Sequence, residues 1–374
     1  MGVPTPRYIG TDPKAKSFAT TVRTQVHAHF QQRGIGFKAD NRVALKVTLM
    51  LALFFAPLVL LLVFAPSAWV AVLLYFAMGV GMAGVGMGVM HDALHGATSR
   101  HQWVNDLLGG TMYLLGSDAH TWKLQHNGAH HTHTNVDEVD QDIDPPDLLR
   151  FSEHAPLWRV HRLQHIYAFF FYGLLTLVKL VNDFFSLEKA RRTKHTRKET
   201  YNYPLAFVAM VFVKVAHVTL FIGLPLLLTP LLWWQVLIGF VLMHFTCGVI
   251  LGTVFQLAHV VEGTKQPLPD AQGIIATEWA VHEMLTTADF APGNAFITWF
   301  TGGLNYQIEH HLFPYISHIH YPAIAPIVAR VAAEHGLPYN VKPSIGNAIL
   351  SHVRRLQELG RPAMQNETLH AQAA

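Results

Sequence analysis

The sequence predicts an all-α integral membrane protein: four transmembrane helices in two hairpins, beneath a cytosolic helical cap. Three observations predict it. The chain is 51% hydrophobic and only 14% charged over 374 residues, too apolar for an ordinary soluble domain. Four runs, at 47–65, 68–90, 204–229 and 231–258, reach about the ~20 residues needed to cross a bilayer. Within each pair, the joining turn is very short and carries no charge: Pro66-Ser67 in the first and Pro230 in the second.

Residues 1–40 read as a polar cytosolic segment with no secretory signal, because the first apolar run already has spanning length. Residues 41–345 form the membrane domain, opening with the hairpin 47–65/68–90. Two shorter apolar stretches, 107–117 and 166–178, fall below spanning length and read as half-submerged helices capping a cytosolic domain. Arg159, Arg162 and Lys179 flank the second and can reach headgroups. The acidic stretch 137–147, ending in a Pro pair, reads as a solvated loop.

The connection between the hairpins carries Lys189, Arg191, Arg192, Lys194, Arg197 and Lys198. Positive charge marks the cytosolic side, which puts both termini there and both tight turns outside. The second hairpin, 204–229/231–258, contains Lys214 as its single charge. Residues 346–374 read as a polar, loosely packed tail. A net charge of +3 implies no nucleic-acid partner; the partner implied by composition is the lipid bilayer. The one cysteine, Cys247, excludes disulfides and cysteine-based zinc sites.

Three histidine clusters lie at the ends of the apolar segments: H-D-A-L-H (91–95), H-N-G-A-H-H (126–131) and Q-I-E-H-H (307–311). Imidazole is a nitrogen donor suited to iron, copper and zinc. Seven such donors, His91, His95, His126, His130, His131, His310 and His311, exceed what one tetrahedral zinc uses. They imply a two-metal centre, and the predicted topology puts all three clusters on the cytosolic side, so the cap is expected to hold a di-metal site.

Helical spacing stacks His91 on His95 and His126 on His130, turns His131 away, and lets adjacent histidines serve different metals. Gln307 lies one turn before His310. His259, at the cytosolic end of the fourth run, is an eighth candidate, although a lone histidine at a helix end is more often hydrogen-bonded than ligating. Asp92, Glu262 and Glu309 sit beside proposed ligands and are candidates to orient their imidazoles; as ordinary surface carboxylates they would need no further role. His120 and His133 are the remaining histidines closest to the second cluster. No Asp or Glu interrupts the four runs, which argues against an ion or metal transporter. The glycines at 79, 81, 84, 86 and 88 read as close helix packing, or as room for a thin apolar chain.

The boxes H-D-A-L-H, H-N-G-A-H-H-T-H-T-N and G-G-L-N-Y-Q-I-E-H-H-L-F-P resemble those of the membrane fatty acid desaturases, over roughly residues 40–345. The likeness is to the branch whose third box begins with glutamine, which includes front-end and many bacterial acyl desaturases. The resemblance implies four crossings, a cytosolic cap and a non-haem di-iron centre cycling between Fe2+ and Fe3+. It implies that dioxygen, as co-substrate, and two electrons serve to make a cis double bond in an acyl chain carried on CoA or a lipid. By position, the seven box histidines match the family ligands and His259 matches the histidine after the last crossing. Gln307 stands where other branches have a ninth histidine, a place taken by its amide or by water. The chain lacks the His-Pro-Gly-Gly haem signature of a fused cytochrome b5, so a separate donor of ferredoxin or cytochrome b5 type is expected. The expected compartment is a bacterial cytoplasmic membrane. A di-iron lipid or hydrocarbon hydroxylase is the alternative from the same chemistry, and a histidine-rich metal transporter the alternative from another class.

Overall fold

The computed structural model describes residues 6–10, 13–143, 147–193 and 202–362. The charged positions Lys194, Arg197 and Lys198, and part of the acidic stretch, lie outside the described residues. Among the described residues the fold is helical, with two short pairs of parallel strands, Arg7–Tyr8 beside Ile274–Ile275 and Asp289–Phe290 beside Val341–Lys342.

Helix α1 (Pro13–Arg33) belongs to the segment read as merely polar. Its Phe18, Val22, Val26 and Phe30 recur every four residues and are buried, which makes one apolar stripe. Helix α2 (Asn41–Phe64) starts at Asp40, whose carboxylate accepts the main-chain N–H of Arg42. A turn with Ala65 in the left-handed region leads into α3 (Ala68–Leu94). Downstream come α4 (Ala119–Lys123), α5 (Gln164–Thr193), α6 (Tyr203–Leu228), α7 (Trp233–His259), α8 (Trp279–Thr286), α9 (Gln307–Leu312), α10 (Tyr321–Glu334) and α11 (Ile345–Leu359).

Helices α2, α3 and α7 pack around one core that includes Phe54, Tyr75, Met78, Phe240 and Met243. Glycine permits the approach: a Cβ on Gly81 would lie 2.5 Å from the Phe54 nitrogen, and one on Gly79 the same 2.5 Å from the Met243 oxygen. Trp69 and Trp233, 83% and 68% exposed, stand at the ends of α3 and α7 remote from the histidines. Amphipathic rings there mark a membrane–water boundary.

Among the described residues five helices, rather than four, are long and apolar enough to cross a membrane: α2, α3, Arg159–Lys189 within and before α5, α6 and α7. The stretch 166–178 is therefore not a short helix. It runs on to Thr193 because Lys179 and Asp183 do not end it. They pair across one turn at 3.2 Å, and Asp183 also takes Lys214 of α6 at 2.6 Å. A count of uncharged residues misses charges that cancel within the fold.

The tail also differs from expectation. Residues 345–359 form α11, whose Ala348, His352, Leu356 and Leu359 are buried on one face. His352 bonds to the Val260 carbonyl (2.6 Å) and to Tyr172 of α5 (2.8 Å). The positions beyond 362 lie outside the described residues.

Candidate metal centre

Two π-helical segments position the ligand candidates. One, Gly86–Met90, directly precedes His91 in α3; the other, Leu124–His130, continues α4. A π turn adds a residue and rotates the side chains downstream of it, and such segments are frequent at functional sites. In the second, the His131 N–H bonds to the His126 carbonyl five residues back, at 3.0 Å. His131 is thereby brought edge-on to His126, their Nε2 atoms 3.2 Å apart, while His130 also stacks on His126 at 5.0 Å. The shared face expected for His126 and His130 is kept, and His131 joins it.

The three boxes and α7 converge. His91, His95, His126 and His310 offer ring nitrogens all within 4.8 Å of one another, and His130, His259 and His311 form a second such group. Both adjacent pairs, His130-His131 and His310-His311, are split by orientation as expected of a two-metal arrangement. His131 lies between the groups, 4.6 Å from the His95 and His310 rings and stacked on His311 at 4.3 Å. All eight side chains are buried or nearly so.

The outer atoms of the rings are fixed by acceptors. Nδ1–H of His126 donates to Asp142 (2.7 Å), that of His130 to Asp140 (2.9 Å) and that of His311 to Glu283 (2.8 Å). Nδ1 of His310 lies 3.2 Å from the Tyr321 hydroxyl. A carboxylate partner sets the tautomer and leaves the Nε2 lone pair pointing inward. Nε2 of His95, His130, His310 and His311, Nδ1 of His91 and His131, and both nitrogens of His259 are buried without a hydrogen-bond partner. Each buried, unmade bond costs ~1–3 kcal/mol, and a set of converging lone pairs adds mutual repulsion. A cation relieves both, so this donor set fits bound metal.

Electrostatics agree for most of the set. Burial, then neighbouring imidazoles, holds His131, His310 and His311 well below the ordinary histidine range, in the neutral form a metal requires. Burial also lowers His126, against the pull of Asp142. At His130 burial is outweighed by Asp140, which lifts it to about 8. Burial raises Glu283 to about 8 despite its bond from Thr134.

The carboxylates expected to orient the ligands are elsewhere. Asp92 accepts from His318 (2.6 Å) and Ser317 (3.1 Å), and His318 in turn lies 3.1 Å from the buried Lys46 ammonium. Glu309 takes the Tyr339 hydroxyl at 2.9 Å beside Asp289. Glu262 points to Arg354 at 3.9 Å. Helical neighbours diverge by roughly 100°, so standing next to a ligand in sequence directs a side chain away from it. The stretch read as a solvated loop instead supplies Asp140 and Asp142, the former fully buried. Its turn begins at Asn135, whose φ of 60° is left-handed. The Asn135 N–H donates to Asp140 (2.9 Å), and its amide reaches the His259 carbonyl (2.9 Å). Glu283 had no sequence signal, since α8 is an ordinary short helix remote from every box. Gln307 is buried at the start of α9. His133 lies 3.0 Å from the Pro6 carbonyl and so faces away from the cage. His217 and His244, inside α6 and α7, bond to one another at 3.0 Å.

Imidazoles caged at the ends of membrane-length helices define an integral membrane protein with a histidine-lined, metal-binding centre. The family model described as fatty acid desaturase matches residues 67–343. The chain is 33% identical over 349 residues to the sn-1 linoleoyl-lipid 6-desaturase of Arthrospira platensis, covering 92% of this chain and 93% of that one. It is 31% identical to an acyl-lipid (8-3)-desaturase of Physcomitrium patens (93% and 73% covered) and 32% identical to one of Mortierella alpina (93% and 79%). The chain belongs to the fatty acid desaturase family. It is an oxidoreductase of the membrane that acts on fatty acyl chains.

Proposed function

We propose that this protein introduces a cis double bond into an acyl chain esterified in a membrane lipid, using two irons, dioxygen and two electrons from a separate donor. The observation that carries the reading is the pair of imidazole groups with inward, partnerless nitrogens. His91, His95, His126 and His310 would hold one iron and His130, His259 and His311 the other, with His131 between them and Gln307 as a further ligand or the holder of a water. Bound there, iron supplies the one-electron chemistry with dioxygen that breaks unactivated C–H bonds.

The chain's own residues do the rest. Asp140, Asp142 and Glu283 fix the tautomers and aim the ring nitrogens. Burial of the cage keeps bulk water from the reacting carbons. An acyl-lipid carrier is favoured because relatives covered almost end to end carry that description.

The membrane domain is placed at 41–345, with α1 and α11 packed onto it as part of a cytosolic cap. Four crossings, α2, α3, α6 and α7, are favoured by parity. His91 near the end of α3 and His259 at the end of α7 belong to one cage, and only an even number of crossings between them returns the chain to the same face. On that count α5 enters the bilayer from the cap side and leaves on the same side. Lys189 and Arg191 at its end favour the cytosolic face, in a bacterial cytoplasmic membrane. A ferredoxin or a free cytochrome b5 is the proposed donor.

Expression in a host with simple lipids, followed by fatty acid mass spectrometry, tests the proposal. A new unsaturated acid that disappears in His130→Ala is expected. A hydroxy acid in its place makes the protein a lipid hydroxylase.

A further inference from the structure

The imidazole cage is flanked by two apolar rings. Trp122 stacks on His126 (4.3 Å between centroids, 24° between planes) and stands edge-on to His91 at 5.6 Å and His95 at 6.0 Å. Phe255, one turn before His259 on α7, lies 5.0 Å from the His130 ring and 4.8 Å from that of His259. Since His126 and His130 stack on each other at 5.0 Å, the two aromatic side chains bracket the histidine pair, one beside each group. Trp122 and Phe255 keep partial exposure, although the adjoining Thr121 and Val254 are buried.

Deeper in the fold, Leu251 lies one turn before Phe255. A Cβ added to Gly86 would meet Leu115 at 3.1 Å and Leu251 at 3.4 Å. Gly79 and Gly81 differ, for they face the backbone of neighbouring helices. Packing explains those two. At Gly86 the place of the missing side chain is instead closed by two flexible leucine tips, five residues before His91 and between the cage and the apolar core.

Resting on the desaturase reading, we propose that Trp122 and Phe255 are the supports that fix which methylenes of an unbranched acyl chain lie against the cage. Leu115 and Leu251, facing each other over Gly86, form the neck through which the rest of that chain passes. Methylenes are chemically alike, so no polar contact distinguishes one from the next. Register along the chain has to come from rigid walls that allow it to lie in only one way, and aromatic rings held against buried imidazoles are such walls.

The test expresses the full chain and its variants in one host, maps double-bond position and chain length by mass spectrometry, and measures iron in the purified proteins. Trp122→Ala and Phe255→Ala are expected to keep their iron while raising the share of neighbouring positional isomers several-fold. Gly86→Val is expected to shorten the longest chain converted, and Leu251→Ala in that background to restore it. An isomer pattern and length profile equal to wild type in every iron-loaded variant overturns the proposal. So does loss of iron from the aromatic variants, which would make those rings props for His126 and His130. If the alanine variants give no product at all, the Gly86→Val and Leu251→Ala length profile decides. A wild-type protein that is iron-loaded and reduced yet makes no unsaturated acid defeats the desaturase reading itself, a result separable from all of these.

Discussion

Asp140 meets His130 through a 2.9 Å hydrogen bond between two side chains with no exposed surface. The same carboxylate caps the turn through the N–H groups of Asn135 and Asp142, at 2.9 and 3.0 Å. One acid therefore shapes the turn and aims the ring. Asp140→Ala should lower iron affinity by about 10–100-fold, the usual effect of losing such a partner. Iron titration of the purified protein checks it, and unchanged affinity would detach Asp140 from the centre.

Glu283 and Glu309 are both buried acids near α9, yet only Glu283 touches a ligand candidate. Glu283→Ala should cost iron, in the same titration, because His311 loses its acceptor and Thr134 one of its partners. Glu309→Gln should retain full iron content. Burial and the neighbouring Asp289 push the Glu309 carboxyl well above its usual range, and its hydroxyl partner Tyr339 can donate equally to an amide oxygen of the same shape.

Removal of metal should destabilise the fold. Seven of the eight histidines have a buried nitrogen without a hydrogen-bond partner, and Nε2 of His126 faces only the Nε2 atoms of His91 and His131; a ligand bound only by the native state stabilises it by mass action. Chelation should lower the unfolding temperature in detergent, and added iron should restore it. A midpoint indifferent to chelation would argue against metal in the cage.

Asp183 is fully buried between Lys179 and Lys214. Asp183→Ala leaves the Lys214 ammonium, nearly buried itself, without its carboxylate, and breaking such a pair costs about 3–5 kcal/mol. The double variant Asp183→Leu/Lys214→Met should recover part of that loss, since Ser117 and the Asp118 N–H still lose their acceptor. Thermal unfolding of the single and double variants distinguishes a network that holds α5 to α6 from an incidental pair.

Glu262→Ala serves as the contrasting case. Its carboxylate is partly exposed and 3.9 Å from Arg354, so the substitution should change stability by no more than about 0.5 kcal/mol and leave iron content as in wild type, both measured on the same purified samples.

The ligand candidates were legible in the chain because metal chemistry admits few residue types and the boxes write them at fixed spacings. His91, His95, His126, His130, His131, His310 and His311 are all found in the cage, and so is His259, a single histidine whose sequence context alone is weak. The apolar runs were equally legible, since bilayer thickness sets a length that hydropathy can be read against. The extent of α5 was not, because Lys179 and Asp183 hide their charges in each other and in Lys214. Nor was the ordered α11, whose apolar face is spaced one turn at a time within a polar composition.

What the linear chain determined by itself is the membrane class, the histidines that come together and the approximate position of most apolar helices, all of which depend on residue type and spacing. Only the tertiary structure decided which carboxylates hold the rings. Asp140, Asp142 and Glu283 reach the cage through a turn and a remote helix, whereas Asp92, Glu262 and Glu309, adjacent in sequence, are turned elsewhere. Side-chain direction is set by the path of the backbone, and the π-helical segment at 124–130 brought His131 to His126 as well as His130, which an α-helical count alone had stacked there.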